Sequence, residues 1–284
     1  MAESNNQKNE KTKSFLVRLA STVFLIAFCG GALYFGGWIL ALLLLFISVC
    51  GVFELLRVFG IHKSAMAVTT YIFVGIYDVL LFFDWDGLIF PAFILFLLVL
   101  LTIYVFKFPK YEIKHMISSF FSFFYVAVCL GYIYQMRCME QGFWLAVLIL
   151  ICSCGNDMSA YLVGILIGKH KMFPNLSPKK SVEGFIGGIC GAALIGFGYG
   201  FIFEKFAAYG DFNYPVLFAI ICGLGALPAV VGDLAASGIK RNYGIKDYSH
   251  LIPGHGGILD RFDSMIFTAP IVYYLVTFLL HTYI

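Results

Sequence analysis

The chain is predicted to be an all-α polytopic membrane protein of about nine transmembrane helices, with its N-terminus in the cytoplasm and its C-terminus on the opposite side. Three observations carry this expectation. Of 284 residues, 61% are hydrophobic and 12% charged, and the mean hydropathy is +0.90; soluble domains run at about 45–50% apolar and about 25% charged. The apolar residues gather into runs near 15–35, 38–56, 66–83, 87–106, 116–135, 143–167, 184–203, 213–236 and 264–284, each close to the roughly 20 residues that a spanning helix needs. Of the 19 Lys and Arg, 17 then fall in loops on one side, the bias expected of cytoplasmic loops.

Taken in order, residues 1–14, MAESNNQKNEKTKS, form a polar cytoplasmic tail with too few apolar groups to fold alone. No cleavable leader is apparent, since the run that follows is long enough to span. Only Gly36 and Gly37 separate the first two runs, which predicts a tight helical hairpin. The cytoplasmic side carries Lys8, Lys11, Lys13 and Arg18, then Arg57 and Lys63, then Lys107, Lys110 and Lys114. Lys169, Lys171, Lys179, Lys180, Lys240, Arg241, Lys246 and Arg261 complete it, while Arg137 and Lys205 alone fall opposite. Residues 15–149 read as an N-terminal set of nearly featureless apolar helices. Residues 150–284 read as a C-terminal transmembrane half that carries a cytoplasm-facing active site. The eight Cys lie mostly inside apolar runs, which is not a disulfide framework. Cys152 and Cys154 lack the second pair that a metal site would need.

Three polar clusters stand out in the second half. In CGNDMSAYLVGILIGKHK, Asp157 follows a strongly apolar run, and a carboxylate inside a membrane helix is costly enough to suggest function. Asp157, Tyr161, Gly164 and Gly168 share one helical face. The blander alternative pairs Asp157 with a neighbouring helix for packing. In PNLSPKKSVEGFIGG, Ser177, Lys179, Lys180 and Ser181 precede Glu183 at a helix entrance. That setting suits a phosphate, or else only a topology signal with Ser181 as an N-cap. The glycines that follow are small-xxx-small pairs and read as packing. The third cluster starts with Asp233, in a Gly- and Pro-containing run at 223–237 expected to kink or break. It continues into SGIKRNYGIKDYSHLIPGHGGILDRFDS, whose 28 residues hold three Asp, four Lys or Arg and two His. Asp260 could be an N-cap and Asp263 a first-turn charge, but those roles leave Asp233, His255 and the cations unexplained.

Carboxylates beside lysines suggest a metal–phosphate site, because Mg²⁺ is held by one or two carboxylates plus substrate phosphates. G-x-S-x-G, H-E-x-x-H and Walker motifs are missing. The site should act on a phosphorylated substrate that reaches it from the bilayer.

Ser237, Lys240, Arg241, Lys246, Asp247, Pro253, Gly254, His255, Gly256, Gly257, Asp260, Arg261 and Asp263 stand where the signature of the phosphatidate cytidylyltransferases has S-x-x-K-R-x4-K-D-x5-P-G-H-G-G-x-x-D-R-x-D. The sequence resembles that family, also called CDP-diacylglycerol synthases, over about residues 150–264. NDMSAYLVGILIGKHK and LSPKKSVEGFIGG resemble two further segments, with Met158 where many members have Thr or Ser. The resemblance implies that CTP and phosphatidic acid give CDP-diacylglycerol and pyrophosphate in phospholipid synthesis. It implies Mg²⁺, with Mn²⁺ as a substitute and room for a second cation, held by Asp233, Asp260 and Asp263. Lys240, Arg241, Lys246, Asp247 and Arg261 would act in catalysis, and His255 would orient or hydrogen-bond. Asp157, Tyr161, Ser177, Lys179, Lys180, Ser181, Glu183, Ser237, Gly256 and Gly257 would contact substrates. The partners implied are the two substrates and the bilayer, not nucleic acid, with a homodimer compatible. The expected location is a bacterial cytoplasmic membrane. A CTP-dependent polyprenol kinase and a transporter with a broken-helix ion site are the alternatives. A transporter should place its polar residues near mid-membrane and show paired repeats, and no repeat is visible.

Overall fold

A computed structural model of the chain describes residues 27–174, 176–207, 212–249, 251 and 256–280. Among them, eight helices are long and apolar enough to cross a membrane. The protein is an all-α polytopic membrane protein. The run at 15–35 is described only from residue 27, and 27–35 is helical (α1). The polar tail 1–14 lies outside the described residues.

The spans are α2 (Gly37–Val58), α3 (Ala65–Phe82) and α4 (Asp86–Phe106), then Ile113–Cys138 and Gly142–Ile167, each interrupted once. The first of those two joins α5 (Ile113–Ser122) to α6 (Cys129–Cys138) through a π-helical turn at Phe123–Val128. The second joins α7 (Gly142–Leu150) to α8 (Asn156–Ile167) through another at Ile151–Gly155. The remaining spans are α9 (Val182–Phe206), α10 (Tyr214–Asn242) and α11 (Leu259–Leu279).

Three local outcomes depart from expectation. The break expected near Pro228 does not occur, and α10 is one helix of 29 residues. Proline removes one N–H from the ladder, and packing against α9 and α11 on either side keeps the helix whole. The interruptions lie instead in the two π turns. The loop containing the lysine pair is an antiparallel hairpin of β1 (Lys171–Phe173) and β2 (Ser177–Ser181).

In the second half, α8 packs on α9, α9 on α10, α10 on α11, and α11 returns to α6. Close approach is made by glycines of α9, including Gly184, Gly187, Gly188 and Gly191, which the sequence marks as packing residues. Gly184, Gly188, Ala192, Gly196 and Gly200 form a buried stripe on α9. A Cβ on Gly188 would come 2.4 Å from Asn156 Oδ1, and one on Gly200 2.4 Å from Pro215 Cα. Large apolar side chains cover the outside, among them Phe90, Phe106, Leu166 and Phe278. α4 buries only Phe96 and Leu100. Such a surface is stable against acyl chains and not against water.

Candidate active site

The polar residues converge where α8 ends, α9 begins, α10 ends and α11 begins. Each helix end is locally determined. Ser181 caps α9, its Oγ accepting from Gly184 N at 3.1 Å. Glu183, in the first turn of α9, accepts from Lys169 N at 3.1 Å, His170 N at 3.2 Å and His170 Nδ1 at 2.6 Å. It thereby ties the exit from α8 to the start of α9. The helix α10 continues past 236 to Asn242, with Lys240 and Arg241 in its last turn, where cations suit the dipole.

Two lysine–carboxylate pairs join these ends. Lys180 Nζ, on β2, lies 2.6 Å from Asp233 Oδ2 on α10, an ionic contact without hydrogen-bond alignment. Lys240 Nζ, on α10, donates to Asp260 Oδ1 on α11 at 2.7 Å. The second pair is the drier, its side chains only 11% and 4% accessible against 24% and 31% for the first. Asp260 Oδ2 also accepts from Tyr248 N at 2.8 Å and Gly257 N at 3.0 Å. Asp260 therefore anchors, from the first turn of its own helix, the loop that precedes it.

Deeper in, Ser264 Oγ donates to Asp157 Oδ2 at 3.2 Å, which joins α11 to α8. Asp263 is buried and accepts from Ser264 N at 2.8 Å. Asp157, Asp233 and Asp263 are near enough to act on one another electrostatically, with Lys180 beside Asp157 and Lys240 beside Asp263. Four carboxylates, those of Asp157, Asp233, Asp260 and Asp263, thus share two ammonium groups in a site walled by apolar helices.

The other residues singled out from the sequence fall into three places. Arg241, Lys246, Asp247, Arg261 and Lys179 are exposed at this end of the bundle, with Asp247 Cβ 3.5 Å from where a Cβ on Gly256 would lie. Ser237 is half-buried on α10, and Ser177 pairs with Phe173 in the hairpin. Tyr161 stands apart, 69% exposed on the outer side of α8. Gly164, which shares its helix, faces Ser181 instead. His255, with Pro253 and Gly254, lies outside the described residues. Gly256 has φ +86, a left-handed conformation that favours glycine.

Several contributors were not singled out. Ser264 follows Asp263 directly, and Asn156, fully buried with an unpartnered Oδ1, precedes Asp157 and donates to it at 3.3 Å. Tyr248 is buried in the loop. Its hydroxyl donates to Ala236 O at 3.1 Å, and its ring lies 5.3 Å from Lys240 Nζ. Burial pushes the Tyr248 phenol well above its ordinary pKa, so it stays a donor. Glu54 and Arg57 reach this loop from α2. Glu54 could have been noticed, since it interrupts the apolar run VCGVFELLRV as Asp157 interrupts its own.

The family model described as "Cytidylyltransferase family" matches residues 16–279. Three proteins named phosphatidate cytidylyltransferase are similar. The one from Aquifex aeolicus (strain VF5) is 36% identical over 188 residues, 66% of this chain and 65% of that protein. The one from Staphylococcus saprophyticus is 36% identical over 161 residues, 54% of this chain and 59% of that protein. The one from Bacillus subtilis (strain 168) is 36% identical over 154 residues, 53% and 54% respectively. The chain spans between half and two thirds of the length of these relatives.

Proposed function

Because this chain belongs to the Cytidylyltransferase family, we propose that it transfers the cytidylyl group of CTP to phosphatidic acid, releasing pyrophosphate and forming CDP-diacylglycerol. The observation that carries this reading is the meeting of carboxylates from α8, α10 and α11 with ammonium groups from β2 and α10 at one end of a membrane bundle. A lipid phosphate and a soluble triphosphate can meet only at such an end. We place it on the cytoplasmic side of a bacterial inner membrane, from the loop charges. A homodimer belongs to the same proposal, and the mass of the purified protein in detergent tests it.

In the reaction, a phosphate oxygen of phosphatidate attacks the α-phosphorus of CTP, and the bond from that phosphorus to the pyrophosphate oxygen breaks. The nucleophile is already ionised near neutral pH, so no strong general base is needed. The barrier lies in bringing polyanions together and in stabilising the charge on the leaving pyrophosphate. Arg241, Lys246, Arg261 and Lys179, exposed at the mouth, would draw in and hold phosphates. Lys180 and Lys240 would hold the acids in place, while Ser264 and Asn156 orient Asp157. Asp247 would act beside these cations, His255 keeps the orienting role that the family resemblance implies, and Ser177, Ser181, Glu183, Ser237, Gly256 and Gly257 would contact the substrates. Tyr161, on the outer face of α8, would meet the lipid.

The residues fit a divalent cation. Excess carboxylate surrounds Asp233 and Asp263, the Asp233 and Asp260 carboxylates each sit on a lysine ammonium, and no group of three ligands is preformed among the described residues. An ion brought in with a nucleotide needs only one or two carboxylates and takes its other ligands from phosphates and water. Asp233, Asp260 and Asp263 would hold it, and when bound it supplies positive charge to the phosphates of CTP.

The test is pyrophosphate release from CTP and phosphatidate by the purified protein, with the lipid product identified by mass. Release of CDP with a polyprenol, and no pyrophosphate with phosphatidate, would replace this reading with the kinase.

A further inference from the structure

We propose that Glu54, with Arg57 one turn on, is a positioning pair that clamps the loop and the first turn of α11 from the N-terminal half, and so sets where Asp260 stands. The inference rests on the reading of the site given above.

Glu54 sits in α2, only 1% exposed, about 200 positions away from its partners. Its Oε1 accepts from Ile258 N at 3.0 Å and its Oε2 from Leu259 N at 2.8 Å. Ser249 Oγ donates to the same Oε1. The first N–H groups of a helix have no intrahelical acceptor. Ile258, at the N-cap of α11, has no side chain able to supply one, so a carboxylate from another helix does. Its negative charge also meets the positive end of the α11 dipole. The fit is close on the loop side too. A Cβ on Gly257 would come 2.6 Å from Glu54 Oε2, so a larger residue there would push the carboxylate off its donors.

Arg57 secures the other end of the loop. Its Nη2 donates to Tyr248 O at 2.6 Å, and Tyr248 N donates to Asp260 Oδ2. A single residue therefore separates the guanidinium of α2 from a carboxylate of the site. Glu54 fixes the backbone of residues 258 and 259, directly before Asp260, while Arg57 fixes the residue that donates to its side chain. Both act on backbone and loop groups: Ile258 N, Leu259 N, Ser249 Oγ and Tyr248 O.

Glu54→Gln is the sharpest test. The amide keeps one acceptor oxygen but turns an NH₂ toward a site filled by three donors. Amide exchange at Ile258 and Leu259 should quicken about tenfold to a hundredfold, the loss of one charge-assisted hydrogen bond. The kcat for pyrophosphate release should fall by a similar factor, with KM for CTP near the wild-type value. Glu54→Asp, which keeps the charge on a shorter arm, should recover part of kcat. Arg57→Ala, at an exposed position, covers the case in which Glu54 variants fail to insert, and it should quicken exchange at Tyr248. Unchanged exchange at these amides overturns the clamp. Faster exchange with an unchanged kcat per folded molecule reduces Glu54 to a stability residue and overturns positioning. If the wild-type protein releases no pyrophosphate, the functional reading fails, and the exchange measurements still decide the clamp.

Discussion

Replacing Asp260 with Asn should remove most of the turnover without preventing insertion. The carboxylate takes three donors, Lys240 Nζ at 2.7 Å, Tyr248 N at 2.8 Å and Gly257 N at 3.0 Å. The Lys240 and Asp260 side chains are 11% and 4% accessible, so water cannot replace a lost partner. Asn offers one carbonyl oxygen, and its NH₂ must face either the ammonium or two backbone N–H groups. Stranding one member of a buried pair costs about 3–5 kcal/mol. At about 1.36 kcal/mol per decade, that is roughly a hundredfold to several thousandfold in rate if the whole loss falls on the transition state. The assay is pyrophosphate release across a magnesium titration, for Asp260→Asn, Lys240→Met and the double variant. Residues in contact couple by about 0.5–3 kcal/mol, so the double variant should be faster than the product of the two single effects. Near-wild-type turnover of Asp260→Asn at low magnesium, or single effects that simply multiply, would refute the reasoning.

Four further outcomes are expected. Lys180→Ala should impair turnover more than Lys179→Ala, because Lys180 contacts Asp233 and Lys179 is exposed; kcat and KM for both substrates measure this. EDTA should abolish pyrophosphate release and Mg²⁺ or Mn²⁺ restore it, with Asp233→Asn and Asp263→Asn shifting half-saturation to higher metal. Gly188→Val should lower the melting temperature in detergent, since even a Cβ would lie 2.4 Å from Asn156 Oδ1 and overpacking costs about 1–3 kcal/mol. A reporter fused after Ile284 should lie on the side away from the cytoplasm, and a cytoplasmic signal there would undo the nine-span topology.

The spans were readable because bilayer thickness forces long apolar runs, and the observed ends of α2, α3, α4 and α8 fall close to those runs. Ser181 was readable as a cap because a hydroxyl three residues before a backbone N–H makes a local bond. Tertiary partners were not. Nothing around Lys180 says that it meets Asp233, or around Asp157 that Ser264 donates to it, since each pair is closed by helix packing. The π turns were invisible because one extra residue in a turn leaves an apolar run apolar. Glu54 was passed over for a different reason. Residues 15–149 looked featureless on average, and an average hides a single carboxylate that the rule applied to Asp157 should have singled out.

The π turn at Ile151–Gly155 divides the labour of one span. Before it, Leu145, Ala146, Leu148 and Ile149 are buried in the bundle; after Asn156, α8 buries no further residue. The turn is a joint between a core segment and a rim segment, and each keeps its own rotational setting. Regular α winding through these same residues would swing α8 by about 100°, carrying Asp157 away from Ser264 while the upstream half stayed seated, whereas deleting one residue would restore both the winding and the phase. The phase of the acid about its helix axis is therefore an adjustable quantity, independent of the packing that holds the helix in the membrane.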